Sequence, residues 1–203
     1  MKTCDLLRLS RALASSTALC VLLASAPAHA QAQDQAAARA LFEDGRRLLK
    51  EGKYPEACRT LEAASKLYPS PGILLNLGDC FEKVGRTASA WTEFGEAASV
   101  AARALRNDQV AEAKRRQSAV EPKLAKLTIR VPNVATGVTI AITRDETELS
   151  SVAWGEAIPV DPGPHRIRAE APGHEPWTTT VVVTSPGQTV TVDVPVLTAS
   201  PTP

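Results

Sequence analysis

The chain has 203 residues, 44% of them hydrophobic and 4% aromatic, and its 23 basic and 22 acidic side chains leave a formal net charge of +1. So even a balance offers no basic surface from which counterion release could drive binding to nucleic acid, and a nucleic-acid partner is not expected. The length allows one or two small domains with cores of their own.

Lys2, Arg8 and Arg11 precede an apolar stretch from about Leu13 to Ala26, which closes on Ala28-His29-Ala30. A positive start, a short apolar run and a small-x-small end are the marks of a cleaved export signal, assigned to residues 1–30. The run is shorter than the roughly 20 residues of a spanning helix and no second one follows, so a retained anchor ranks second and no transmembrane span is expected after cleavage. A lipid anchor through Cys20 fits less well, because Thr17-Ala18-Leu19 lacks both a leucine three places before the cysteine and a small residue directly before it. The expected location is therefore the periplasm or cell envelope. Removing the leader leaves 20 basic and 21 acidic side chains, with 16 and 13 in residues 31–126 and 4 and 8 in residues 127–203.

Near Lys126 the composition turns from Ala, Leu, Arg and Glu to Val, Thr, Pro and Gly, a switch from helix-forming to strand-forming residues. Two domains are predicted, helical over 31–125 and β over 126–197, with 198–203 as a disordered tail. A first helix is expected from about Gln35 to Glu51, ending at Gly52. A second follows with Pro55 in its first turn and stops before Pro69. Ser70-Pro71 supplies an N-cap and a first-turn proline for a third helix, which ends near Val84-Gly85. Thr87 is the expected cap of a fourth, running to about Leu105. Asn107-Asp108 is the expected cap of a fifth, over 109–120, which closes the stack. Lys114, Arg115 and Arg116 on it read as a solvated face.

Within this half one pattern occurs twice: Leu41, Gly45, Gly52, Ala57, Leu61 and Ala64 return 33 positions later as Leu74, Gly78, Gly85, Ala90, Phe94 and Ala97. A fixed period of this size reads as stacked helical hairpins, with small residues admitting close helix approach and large ones filling the gaps between axes. Residues 38–103 resemble tetratricopeptide repeats on these places, with Phe81 at the aromatic position and Pro69 at the terminal proline. Leu48 and Ala102 depart from the pattern. The resemblance implies a groove lined by the first helix of each hairpin, here Arg39, Phe42, Glu43, Arg46 and Leu49, then Leu75, Asn76, Asp79 and Glu82. Asn76 is the foremost candidate, since a side-chain amide can donate to and accept from a peptide backbone; the competing reading has it bonded within its own stack.

Cys4 and Cys20 fall in the leader, which leaves Cys58 and Cys80. In an oxidising compartment an even pair on adjacent antiparallel helices predicts a disulfide, worth about 3 kcal/mol in the chain-entropy model. Two buried free thiols are the alternative, and no C-x-x-C motif points to redox catalysis.

The second half alternates with a period of two at Leu127, Ile129 and Val131, at Val138, Ile140 and Ile142, and at Val190, Val192 and Val194. Asp161-Pro162-Gly163, Pro172-Gly173 and Pro186-Gly187 separate further strands at His165–Ala171, Trp177–Thr184 and Gln188–Pro195. Turn-separated half-buried strands of this kind predict a small antiparallel sandwich. The segment resembles the PEGA family, small extracytoplasmic β-domains of bacteria, through Val160-Asp161-Pro162-Gly163-Pro164-His165 leading into a strand and Ala169-Glu170-Ala171-Pro172-Gly173-His174 ending it. The resemblance covers about Leu127 to Leu197 and implies an accessory domain without an established catalytic role.

No enzyme is expected. Only His165 and His174 remain outside the leader, and even with Asp161, Glu170 or Glu175 they fall short of the three converging ligands a catalytic zinc needs. Neither a G-x-S-x-G elbow nor a phosphate-binding G-x-x-x-x-G-K-[ST] loop occurs, so no catalytic residue, metal or cofactor is assigned. Trp154 and Trp177 suit a sugar ring or, more simply, the core of a domain with few other large residues. The expected function is that of a non-enzymatic α+β adaptor: antiparallel helical hairpins that bind another protein or peptide of the envelope, followed by a β-sandwich. The alternative is a cell-wall glycan-binding module acting through the β-domain.

Overall fold

The computed structural model describes residues 26–132 and 139–201. Most of the expected leader, through residue 25, lies outside the described residues, as does Val138 of the second predicted strand. The helical part comprises α1 (Ala26–Lys50), α2 (Tyr54–Leu67), α3 (Pro71–Lys83), α4 (Thr87–Arg103) and α5 (Asn107–Val120). A 3-10 turn at Glu121–Lys123 leads to β1 (Ala125–Arg130), β2 (Ala141–Arg144), β3 (Thr147–Glu148), β4 (Ala157–Val160), β5 (Gly163–Glu170), β6 (Trp177–Val183) and β7 (Thr189–Asp193). The chain is thus α+β, and no described helix is long and apolar enough to cross a membrane.

The doubled residues explain how the helices stack. Gly45 lies against Leu61 and Gly78 against Phe94, so close that a methyl group on either glycine would strike the larger side chain. Ala57, Leu61, Ala64, Ala90, Phe94 and Ala97 are each fully buried. Gly52 and Gly85 end α1 and α3 with φ of 74° and 78°, the left-handed conformation that relieves terminal carbonyls and excludes most side chains. Ser70 Oγ accepts the Ile73 N–H at 3.4 Å and caps α3 as its sequence predicts.

Two expected caps are not made. Thr87 and Asn107 are the first residues of α4 and α5, while Arg86 and Arg106 hold the cap positions without a side-chain bond. The Thr87 hydroxyl is buried with no protein partner. α1 also begins earlier than Gln35: the segment Ala26–Asp34 contains three further alanines and no glycine, so only its proline at the first turn breaks a good helix-forming run.

Helix α5 closes the stack. Ala113 packs with Leu74, Ala97 and Ala98, while Val120 and Leu124 enter the main helical core beside Leu61, Leu77 and Phe94. A disulfide between Cys58 and Cys80 ties α2 to α3 across a Cα separation of 5.5 Å.

The strands form two sheets, in the orders β4-β1-β7 and β3-β2-β5-β6. Leu127 and Ile129 of one sheet meet Ile142, Ile167 and Val183 of the other in a shared core. The sandwich is not antiparallel throughout: β1 runs parallel to β7, with Leu127 opposite Val190 and Ile129 opposite Val192. Alternation records which face is buried and carries no information on the direction of the neighbouring strand. Beyond Leu197, the predicted tail folds back, with Ala199 bridged to His174 and the Ser200 N–H donating to Gly173 O at 2.9 Å.

The helical and β parts meet without a free linker. Leu124 belongs to the helical core and Ala125, the next residue, to the β core. The β6–β7 turn brackets this junction, since Gly187 N–H donates to Lys123 O at 3.0 Å and Lys126 N–H to Gln188 O at 2.7 Å.

Candidate partner-binding site

On the helical unit a cavity of about 350 Å3 opens between the first half of α1, the α2–α3 loop and the end of α4. Its walls are apolar or aromatic: Phe42 from α1, Tyr68 and Pro69 from the loop, Ile73 from α3 and Val100 from α4. Pro69 and Pro71 flank Ser70 and hold the loop extended, and the half-buried Tyr68 ring packs against Ala38, Ala64 and Ile73. Arg39 and Arg106 line it from opposite elements, and both are exposed. The volume lies at the lower end of the range for ligand pockets, about 300–1,000 Å3.

Of the nine residues assigned to the groove by sequence, the structure brings Arg39 and Phe42 into this cavity. Glu43 and Arg46 form an ion pair at 3.7 Å one turn along α1, and the Arg46 guanidinium sits 5.5 Å from the Phe42 ring centre. Leu49 and Leu75 pack partly against the helical core. Asn76 donates to the Gly72 carbonyl of its own helix at 2.8 Å. Asp79 is paired with Arg116 of α5, and Glu82 lies 3.8 Å from Lys123. Arg115 and Arg116 also grip Glu112, their hydrogen bonds pulling its carboxyl down to about 2. Two members of the basic triplet are thus tied up by carboxylates.

Tyr68, Ile73, Val100 and Arg106 are cavity residues that the repeat pattern does not mark. They come from a loop, two helix ends and a turn, positions that a helical register does not relate to one another. The proline-bracketed Tyr68-Pro69-Ser70-Pro71 is the one sequence signal near them.

A second feature joins the two units. The Asp161 carboxylate, on the turn between β4 and β5, accepts the Ser89 N–H at 2.9 Å, the Ser89 hydroxyl at 2.5 Å and Arg86 Nε at 3.1 Å. Ser89 is in the first turn of α4, so a residue of the β unit supplies the cap that the helix lacks locally. Arg86 is further fixed by Glu62 of α2 at 3.0 Å and lies 4.0 Å from the Phe81 ring centre. Beside this joint, a cleft of about 290 Å3 is lined by Thr92 and Glu93 of α4 and by Arg144, Asp145 and His165 of the β unit.

His165 is braced rather than free. Its Nδ1 lies 2.7 Å from the Asp145 carboxylate and its Nε2 2.8 Å from the Asp161 carbonyl. Burial works to raise the Asp145 carboxyl, but the hydrogen bond to His165, joined by one from the Arg166 N–H, outweighs it and holds the group below its ordinary value. Glu93 goes the other way: burial, then repulsion from Glu62 and Glu96, raise its carboxyl. His174 Nδ1 contacts the Pro172 carbonyl at 2.9 Å, in its own turn. Trp154 and Trp177 are half-buried against the β core. Among the described residues, no three His, Cys, Asp or Glu side chains converge as a metal site would require.

Comparison with known proteins reaches the last four strands and not the whole stretch from Leu127 to Leu197 over which the sequence resemblance is expected. Residues 156–198 match the model of the PEGA domain, a span that runs from β4 through the Asp161 turn to just beyond β7. No curated protein matches the chain.

Proposed function

We propose that this chain is a non-enzymatic adaptor of the bacterial cell envelope, in which the helical unit grips a segment of another protein and the β unit sets the orientation of that complex. The observation that carries the reading is the open, aromatic-walled cavity between α1, the α2–α3 loop and the end of α4. A cavity of this size suits a partner's side chain better than a reaction centre, because its polar lining is Gln35, the Tyr68 and Ser70 hydroxyls and two guanidiniums, with no His, Asp or Glu to serve as a base beside the hydroxyls. The stacked hairpins support a tetratricopeptide-like mode of binding, and the disulfide together with the PEGA match supports export to an oxidising compartment. Because Asp161 and the bracketed junction fasten the two units, a partner held by one has a defined position relative to the other.

Glycan binding through the β unit is the weaker reading, since Trp154 and Trp177 use part of their ring surface in packing against the core. Ala104 is exposed at the cavity wall, so Ala104→Trp fills the space without disturbing buried packing. Crosslinking in envelope fractions is expected to recover defined partners with the wild type and to lose them with Ala104→Trp; an identical set from both proteins removes the cavity from the function.

A further inference from the structure

We propose that the cavity between α1 and the end of α4 takes an acidic protein segment in which a bulky apolar side chain is flanked by aspartates or glutamates; this deepens the adaptor reading and rests on it. Arginines of the helical unit are almost all neutralised within the unit itself. Arg46, Arg47, Arg59, Arg86, Arg103, Arg115 and Arg116 each stand within 4.0 Å of a carboxylate. Arg39 and Arg106 make no such pair among the described residues, and both line the same cavity. They belong to different elements, one to the first helix and one to the α4–α5 turn, so sequence proximity does not bring them together. Glu43, one helical turn beyond Arg39, is engaged by Arg46 instead.

The apolar part of the occupant follows from the walls. Phe42, Tyr68 and Val100 are half-buried or at the mouth and Ile73 is buried, so an inserted aromatic or branched side chain finds apolar contact on several sides. Leu105 strengthens the argument. It stands between cavity residues Ala104 and Arg106, is 85% exposed, and is held at φ 56°, a left-handed conformation disfavoured for a leucine. An exposed large apolar residue in an unfavourable backbone state, at the lip of a cavity, adds to the surface a partner can cover. Carboxylates on either side of the inserted residue then reach the two guanidiniums, whose planar forks suit bidentate pairing.

A random twelve-residue peptide library, panned against the disulfide-bonded chain, tests this directly, because the library leaves the occupant's sequence open. Enriched sequences are expected to place Asp or Glu beside Phe, Trp, Tyr, Leu or Ile. The tightest peptide, labelled for fluorescence anisotropy, should bind Arg39→Ala/Arg106→Ala about tenfold more weakly and lose affinity as salt is raised. The charge-reversed Arg39→Glu/Arg106→Glu chain should prefer peptides with Lys or Arg in the flanking places. Both arginines are exposed, so the variants are expected to melt with the wild type, and circular dichroism checks it. Enrichment without an excess of acidic residues, failure to enrich any sequence, or equal affinity of the double alanine variant overturns the proposal. If Ala104→Trp loses the envelope partners while Arg39→Glu/Arg106→Glu keeps them, the adaptor reading stands and the acidic ligand falls; if neither variant changes them, both fall.

Discussion

On α4, the half-buried carboxyl of Glu93 faces the cleft between the two units and has no ion-pair partner among the described residues. Removal from water, and the nearby charges of Glu62 and Glu96, favour its neutral form in the folded state. A carboxyl raised on folding contributes fully below the unfolded value and loses that contribution as pH rises through the folded one, so at neutral pH the ionised group works against the fold. Glu93→Gln keeps the shape and removes the charge. The variant is expected to melt at a higher temperature than the wild type at about pH 7.5, the gain closing towards about pH 4, where both carry a neutral group. Parallel melting curves at the two pH values check this, and a gain of the same size at both would assign the effect to shape. Asp145, held low beside His165, has the opposite sign: its contribution is present above the unfolded value and fades as pH falls through the folded one.

At the scale of elements, the disulfide fastens the seam between the two hairpins, where α2 and α3 meet. Closing a loop with a sequence separation of 22 contributes about 3 kcal/mol in the chain-entropy model. Cys58→Ala/Cys80→Ala should therefore lower the unfolding free energy by that order, read as a lower denaturant midpoint, and dithiothreitol should destabilise the wild type while leaving the variant unmoved; insensitivity of the wild type to the reductant would contradict it. The elements themselves were largely legible in the residues, because Gly52, Gly85, Pro55 and Ser70-Pro71 impose local backbone states that no distant contact needs to confirm. Other features depend on neighbours far along the chain. The parallel direction of β1 against β7 is set by where the last strand returns, and the Ser89 N–H at the start of α4 is served by Asp161 of the β unit where the sequence predicts Thr87 as the cap. Repeat register placed Arg39 and Phe42 at the site, but Asp79 and Glu82 are engaged by Arg116 and Lys123, which lie beyond the repeat. The cavity's other walls come from segments that adjoin only after stacking.

For the molecule as a whole, the Asp161 joint is expected to make the two cores unfold together. Asp161→Ala removes a charged acceptor from Ser89 and Arg86, a change worth about 2 kcal/mol for a charge-assisted cap. Urea unfolding followed by far-ultraviolet circular dichroism and by tryptophan fluorescence should give coincident transitions in the wild type and separated ones in the variant. Coincident curves with an unchanged midpoint would show that the Leu124–Ala125 junction alone couples the units. The same joint also bears on synthesis, when the chain emerges from its amino end. Ser89 leaves the ribosome 72 residues ahead of the carboxylate that caps its helix. Until Asp161 arrives, the first turn of α4 lacks this cap, so a chain truncated before residue 161 is expected to show faster amide exchange at the start of its fourth helix than the full chain.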